Sequence, residues 1–246
     1  MSHHILIIGA NGGIAKALIK QYCQNQDTVT VHSVSRSDVV HSYANQNHSV
    51  FDTSAESEII KFLQATTQKG IRFDKVICTT GVLHRVSEDT NIGSLKPEKR
   101  LEDIQQSALA EYFAVNTILP ALWLKHLVKS VNKNRACLIF FSARVGSISE
   151  NGLGGWYGYR ASKAALNMIV KTASIEYKRR TPNSVLACYH PGTVDTELSK
   201  PFQANVKPGK LFTAQYTAER LLEHIEQLDC EQSPYYFDWD GQNIQY

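Results

Sequence analysis

The stretch Ile5-Leu6-Ile7-Ile8-Gly9-Ala10-Asn11-Gly12-Gly13-Ile14-Ala15 decides the fold. Four aliphatic residues in a row read as a strand buried on both faces, and such strands belong to parallel sheets covered by helices. Gly9, Gly12 and Gly13 follow at once, and a helical pattern over 13–24 comes next. Glycines at a strand-to-helix junction permit a tight turn and let backbone N–H groups approach a pyrophosphate at the helix N-terminus. A merely flexible turn is the blander account of the same glycines. Their place at the first strand–helix junction favours dinucleotide binding, with Gly9, Asn11, Gly12, Gly13 and Ile14 around the phosphates.

The same alternation continues along the chain. Apolar, β-rich runs lie at Ile5–Ile8, Thr28–Val34, Lys75–Cys78, Ala136–Ser142, Ser184–His190 and Tyr235–Asp238, with a weaker one at His48–Phe51. Helical patterns fall between them at 13–24, 55–68, 101–131, 157–180 and 216–228, and Pro120 predicts a bend in the third. Such order implies βαβ units. The expected fold is α/β: one doubly wound domain over 1–246, a mostly parallel sheet of about seven strands with helices on both faces. The stretch 196–215, with Pro201, Pro208 and Gly209, reads as a loop able to close over a substrate, carrying Leu198, Phe202, Leu211 and Phe212.

Composition narrows the function classes. The chain has 246 residues, 43% hydrophobic and 20% charged, with 14 Gly and 7 Pro, unlike collagen, coiled coils or disordered chains. A net charge of +3 is too small to argue for a nucleic-acid partner. The five cysteines are scattered without CxxC spacing and read as reduced core thiols. His3-His4 reads as two polar residues before a strand, so no metal site is expected. Uninterrupted apolar runs reach about half the roughly 20 residues of a membrane helix, and no basic, cleavable leader precedes Ile5. A cytoplasmic protein without a membrane partner is expected.

The second strand ends at Val34-Ser35-Arg36. An acidic residue there holds the ribose 2′-hydroxyl of NAD, whereas an arginine accommodates a 2′-phosphate. Ser35 and Arg36 therefore point to NADP(H) in preference to NAD(H), although Asp38 complicates the reading and a solvated surface arginine is the alternative. Tyr159 and Lys163 are four residues apart on one helix face. A nearby ammonium lowers a phenol's pKa from about 10 towards neutrality, making the tyrosine a usable general acid or base. The spacing alone is weak; its context gives it weight.

These motifs, in this order, resemble the short-chain dehydrogenase/reductase family over nearly the whole chain. Gly9, Gly13 and Ala15 stand where that family has TGxxxGxG, with Ile8 and Ala15 in place of its Thr and last Gly. Phe51-Asp52-Thr53 is similar to the segment whose Asp contacts the adenine. Asn116 matches the family's proton-relaying Asn, and Tyr159 with Lys163 matches its YxxxK, followed by Ala164-Ala165-Leu166. Pro191-Gly192-Thr193-Val194-Asp195-Thr196 matches PGxVxT, where backbone and Thr196 would hold the nicotinamide carboxamide. Cys78-Thr79-Thr80-Gly81 stands in place of NNAG; Gly81 permits close approach, and Thr79 and Thr80 offer hydroxyls. Ser142–Ile148 and Asp238-Trp239-Asp240-Gly241 look most like the sniffer-type carbonyl reductases and the C-factor-like branch.

The resemblance implies a Rossmann-type NADP(H)-dependent oxidoreductase. It would reduce the carbonyl of a fairly apolar aldehyde or ketone, with Tyr159 as general acid, Lys163 lowering its pKa and holding the ribose, and Asn116 relaying protons. A homodimer or homotetramer is expected by the same analogy. One departure stands out. The family ends its fifth strand in a Ser pair whose second member polarises the substrate carbonyl, and here Ser142 is followed by Ala143, which donates no hydrogen bond. Ser147 or Ser142 could substitute, Arg144 or a loop group could polarise instead, or the chain could be a cofactor-binding regulatory protein with weak catalysis. His84, just after Gly81, reads as a structurally satisfied histidine bordering the site.

Overall fold

The computed structural model describes residues 3–25, 28–39, 43–86 and 93–246. β1 (His3–Ile8) leads into α1 (Gly13–Asn25), followed by β2 (Val29–Ser35), β3 (Gln46–Val50), α2 (Glu56–Gln68) and β4 (Lys75–Cys78). Then come α3 (Gln106–Phe113), α4 (Leu119–Leu127), β5 (Ala136–Phe141), α5 (Tyr157–Arg180), β6 (Ser184–His190) and β7 (Thr193–Val194). β8 (Leu211–Phe212), α6 (Ala214–Ile225) and β9 (Tyr235–Asp238) complete the chain.

Seven parallel strands form one sheet in the order β3-β2-β1-β4-β5-β6-β9. Successive strand residues point to opposite faces, so the Ile5–Ile8 run feeds two cores at once. Leu6 and Ile8 join Ile59, Leu63, Trp123, Leu127 and Val170 on the α2, α4 and α5 side. Ile5 and Ile7 join Leu18, Tyr22, Leu221 and Ile225 on the α1 and α6 side. Three of the five free cysteines, Cys78, Cys137 and Cys188, are buried in these cores. The chain leaves β1 for β2 on one side and reaches β4 on the other, so a crevice opens at the carboxyl ends of β1 and β4. In open α/β sheets this switch point is where ligands bind.

The expected long helix over 101–131 differs from what forms. Its start is a single 3-10 turn, Leu101–Asp103, and α3 and α4 are joined by a π turn, Ala114–Ile118. The bend predicted at Pro120 is replaced by this rewinding just before it. Pro120 carries no N–H, so the Asn116 carbonyl four residues earlier loses its α-helical donor. Together Gln106–Leu127 make 22 helical residues, long and apolar enough by composition to cross a membrane. Its uninterrupted apolar runs are nonetheless short, because Glu111, Asn116 and Lys125 break them up. Leu119, Trp123, Leu124 and Leu127 of this stretch are buried in the core. The stretch 196–215 is less loop-like than expected: Lys200–Asn205 forms 3-10 turns, and β8 pairs with β7.

Candidate active site

The glycine turn sits at the mouth of the crevice. Gly9 adopts φ +90°, and a Cβ on it would lie 2.9 Å from Thr79 Oγ1 and 3.0 Å from Thr80 Cγ2. Only glycine fits there, and the backbone is left bare for close approach by a pyrophosphate. Gly12 donates its N–H to the Gly9 carbonyl at 3.0 Å, closing the turn. Gly13, the first residue of α1, packs against Thr196, whose Cγ2 would stand 3.0 Å from an added Cβ. The turn after β1 and the segment after β6 are thus in contact. Val194 is buried, and its carbonyl accepts the Ser199 and Thr196 hydroxyls at 2.5 and 3.3 Å. Gly192 has φ +76° and is hemmed in by Phe212 and Trp239.

Other expected cofactor residues differ in character. Thr79 donates its hydroxyl to the Ile8 carbonyl at 2.9 Å, and Thr80 Oγ1 lies 3.2 Å from Cys78 Sγ. Both hydroxyls brace strand ends rather than stand free for a ligand. Thr53 is buried and accepts the Trp123 indole N–H on its carbonyl at 2.9 Å. Asp52 is exposed and accepts Ser54 N–H and hydroxyl bonds at 3.0 and 2.6 Å. Those bonds, with the more distant positive charge of Arg36, hold its carboxyl below the usual range. Arg36 itself is exposed. The bare turn, the switch-point crevice and this cation fit a phosphorylated dinucleotide.

Behind the turn three polar side chains converge. An added Cβ on Gly81 would lie 3.4 Å from Lys163 Nζ and 3.5 Å from Asn116 Oδ1. Asn116 is fully buried and doubly tied to Val82, accepting its N–H at 2.8 Å and donating to its carbonyl at 3.0 Å. It also donates to Ser162 at 3.0 Å, and Ser162 donates to the Tyr159 carbonyl at 2.8 Å. Lys163 donates to the Phe141 carbonyl at 2.8 Å and stands 5.9 Å from the centre of the Tyr159 ring. Burial pushes the amine down to about 8. Burial also pushes the Tyr159 phenol above its ordinary value, so the expected lowering by Lys163 is reversed in the chain alone. Desolvation by burial is the leading cause in both groups.

Ala143 and Tyr159 share a small apolar cluster with Leu83, Leu95 and Tyr112. Of the serines weighed as substitutes, Ser142 donates to Asn167 Oδ1 at 2.7 Å. Ser147 lies 3.3 Å from the Ser149 hydroxyl and accepts Glu150 N–H at 3.2 Å. Arg144 is ion-paired with Glu150 and Asp238 at 2.9 and 2.5 Å. Each of the three already has a partner other than the tyrosine. Phe202 packs edge-on against Trp156 at 5.0 Å and His84 at 5.7 Å, and Trp156 packs against Tyr159 at 6.1 Å. His84 Nε2 lies 2.9 Å from the Glu197 carbonyl, tying it to the 196–215 segment. Leu198 and Leu211 are exposed, while the Phe212 ring lies tilted against Trp239 at 4.5 Å. Among the described residues, no group of three potential His, Cys, Asp or Glu metal ligands occurs.

Two contributors were not read from the sequence. Glu98, within Lys96-Pro97-Glu98-Lys99-Arg100, looks like a solvated charge, yet it is 3% exposed at the start of α5. Trp156 enters α5 at φ +54°, in the left-handed region. No local pattern signals either, because each depends on a distant segment.

The sequence profile of the family described as short chain dehydrogenase matches residues 3–207. The 1-hydroxy-2-glutathionyl-2-methyl-3-butene dehydrogenase of Rhodococcus sp. strain AD45 is 27% identical over 246 residues, covering 98% of this chain and 99% of that one. Among solved structures, the carbonyl reductase Sniffer of D. melanogaster superposes with a TM-score of 0.83 at 19% identity, over 100% of both chains. An NADPH-bound carbonyl reductase from chicken fatty liver does so with a TM-score of 0.80 at 20% identity, over 100% of this chain and 99% of that one. At these identities the structural likeness is one of fold.

Proposed function

The chain belongs to the short chain dehydrogenase family of oxidoreductases, and on that premise we propose that it is an NADP(H)-dependent reductase of fairly apolar aldehydes or ketones. The observation that carries this is the convergence of Tyr159, Lys163 and Asn116 behind the glycine cradle, with Gly81 keeping their approach open. The NADPH-bound fold neighbour supports the choice of cofactor. Bound NADPH supplies the hydride. The Gly9–Gly13 turn would hold its pyrophosphate, Arg36 its 2′-phosphate, Asp52 its adenine, and the Pro191–Thr196 segment its nicotinamide end.

Tyr159 gives its proton to the carbonyl oxygen as negative charge develops there, and Lys163 holds the ribose. Asn116 is pinned by Val82, leaving its Pro120-freed carbonyl to hold a relay water. The 196–215 segment acts as the lid: Phe202, against Trp156 and His84, excludes water and favours apolar substrates. We further propose that the protein works in the cytoplasm as a homodimer or homotetramer, which light scattering tests.

The deciding experiment follows NADPH consumption with a panel of aldehydes, ketones and quinones. Turnover of apolar members is expected. Tight NADPH binding without turnover of any member would instead favour a regulatory, cofactor-sensing protein, the reading that Ala143 supports. Comparing dissociation constants for NADPH and NADH tests Arg36: a preference for NADH would refute its role.

A further inference from the structure

Ser33 and Ser35 lie two residues apart on β2 and so face the same side of the sheet. His48 of β3, paired in register with Ser33, spans both. Its Nδ1 lies 2.8 Å from Ser33 Oγ, and its Nε2 lies 3.1 Å from Ser35 Oγ and 3.4 Å from the Ser37 carbonyl oxygen.

Counting protons along this network assigns the ring's tautomer. Ser35 donates its one hydroxyl proton to the Ser37 carbonyl at 2.5 Å. Its oxygen therefore accepts, from Asn11 Nδ2 at 3.2 Å and from His48. Nε2 carries the imidazole proton. Nδ1 then accepts from Ser33, whose oxygen in turn accepts from Gln46 Nε2 at 2.9 Å. The two Nδ2 protons of Asn11, in the glycine turn, are shared between Ser35 and the Ser37 carbonyl, Ser37 hydroxyl and Asp38 carbonyl oxygens at 3.0, 2.9 and 3.3 Å. The edge strand is thereby wired through β2 to the phosphate-binding turn.

Ser35 is 5% exposed and its hydroxyl is fully engaged, so it shapes the turn and does not serve as a phosphate ligand. What the turn displays is Arg36, exposed between Ser35 and Ser37. We propose that His48 is the positioning residue for cofactor choice: by donating to Ser35 it holds the Ser35–Ser37 turn in the shape that presents Arg36 to the 2′-phosphate of NADP(H). This deepens, and rests on, the reading of Arg36 given above. Without the Nε2 donor, Ser35 keeps only Asn11 as a donor, and Arg36 loses the fixed backbone that aims it. NADH has no 2′-phosphate for Arg36 to hold, and the Pro191–Thr196 segment assigned to the nicotinamide end lies outside this network, so NADH binding should change little.

The test is calorimetric titration of NADPH and of NADH into the wild type, His48→Leu and His48→Gln, with thermal unfolding of each. Gln places an amide nitrogen where the histidine has Nε2. His48→Leu should weaken NADPH about tenfold, the weight of one orienting hydrogen bond, while NADH stays within about twofold. His48→Gln should recover most of that loss. Equal weakening of both cofactors, or no weakening of either, overturns the proposal. Should His48→Leu not fold, Ser35→Ala removes the acceptor of the same proton and must show the same selective loss of NADPH. A wild type that binds NADH as tightly as NADPH refutes the Arg36 reading, and this role with it; a wild-type NADPH preference that His48→Leu leaves intact refutes this role alone.

Discussion

Gly158 donates its backbone N–H to both carboxylate oxygens of Glu98, at 3.1 and 3.3 Å, one residue before Tyr159. The Glu98 carbonyl accepts the Trp156 N–H at 2.5 Å. Trp156 holds φ +54° without being glycine, a conformation that costs about 1–2 kcal/mol. Glu98 thus clamps the strained entry to α5 and satisfies one of its free N–H groups. Glu98→Ala should lower folding stability by about 1–2 kcal/mol, as loss of a helix cap does. It should also lower kcat more than it raises KM, because Tyr159 rides on this turn. Denaturant unfolding and steady-state kinetics measure both effects; unchanged stability would dismiss the clamp.

Ala143 lies in the Tyr159 cluster where a second donor to the substrate oxygen is missing. Ser142, Ser147 and Arg144 each have another partner, so any of them would have to share or give up a bond to act as the donor. One such donor is worth on the order of 100-fold in rate. Ala143→Ser should therefore raise kcat on plain ketones by about tenfold or more, allowing for imperfect placement of the new hydroxyl. An unchanged rate would mean that another group already fills the role.

The sheet was legible because strands buried on both faces leave an unmistakable trace, as in Ile5–Ile8 and Ala136–Phe141. β3 was the weakest reading, since its residues Gln46-Asn47-His48-Ser49-Val50 lie at the sheet edge and are half-exposed or exposed. Its histidine carries a network that no periodicity reports. Tyr159 and Lys163 could be set on one helix face by their four-residue spacing, whereas Asn116 was indicated by the family resemblance alone, since it lies in a π turn that no spacing reports. The fates of Ser142 and Ser147 could not, because a hydroxyl's partner depends on loop geometry and on Asn167, far along the chain. The sign of the Tyr159 shift was missed for a related reason: the spacing reports the neighbouring charge, whereas burial depends on Tyr112, Trp156 and the rest of the cluster.

Tyr159 is 7% exposed and packed edge-on by Tyr112 and Trp156. Removing its hydroxyl leaves this packing almost unchanged, so Tyr159→Phe should fold normally and bind NADPH within about twofold of wild type. Turnover should fall by about 100-fold or more, the usual weight of a general acid. NADPH oxidation with the best substrate measures this, and a variant keeping more than about a tenth of the rate would show that the proton comes from elsewhere.

Lys163 gives a pH prediction for the chain without cofactor. Burial holds its amine at about 8, against an ordinary lysine value of about 10.4. Below pH about 8 the group is protonated in the folded and unfolded chain alike, and the folded state bears the whole cost of a buried ammonium. Between about 8 and 10.4 the unfolded chain binds more protons, so this residue's contribution to stability rises with pH. Over that window it amounts to about 3 kcal/mol, at 1.36 kcal/mol per pH unit. Buried Cys78, Cys188 and Tyr159 are pushed upward by burial and so contribute with the opposite sign above their ordinary values. The Lys163 contribution is therefore read as a difference. Urea unfolding of the wild type and of Lys163→Met from pH 7 to 10.5 should show the wild type gaining on the variant by about 3 kcal/mol. A flat difference would place the ammonium in contact with solvent.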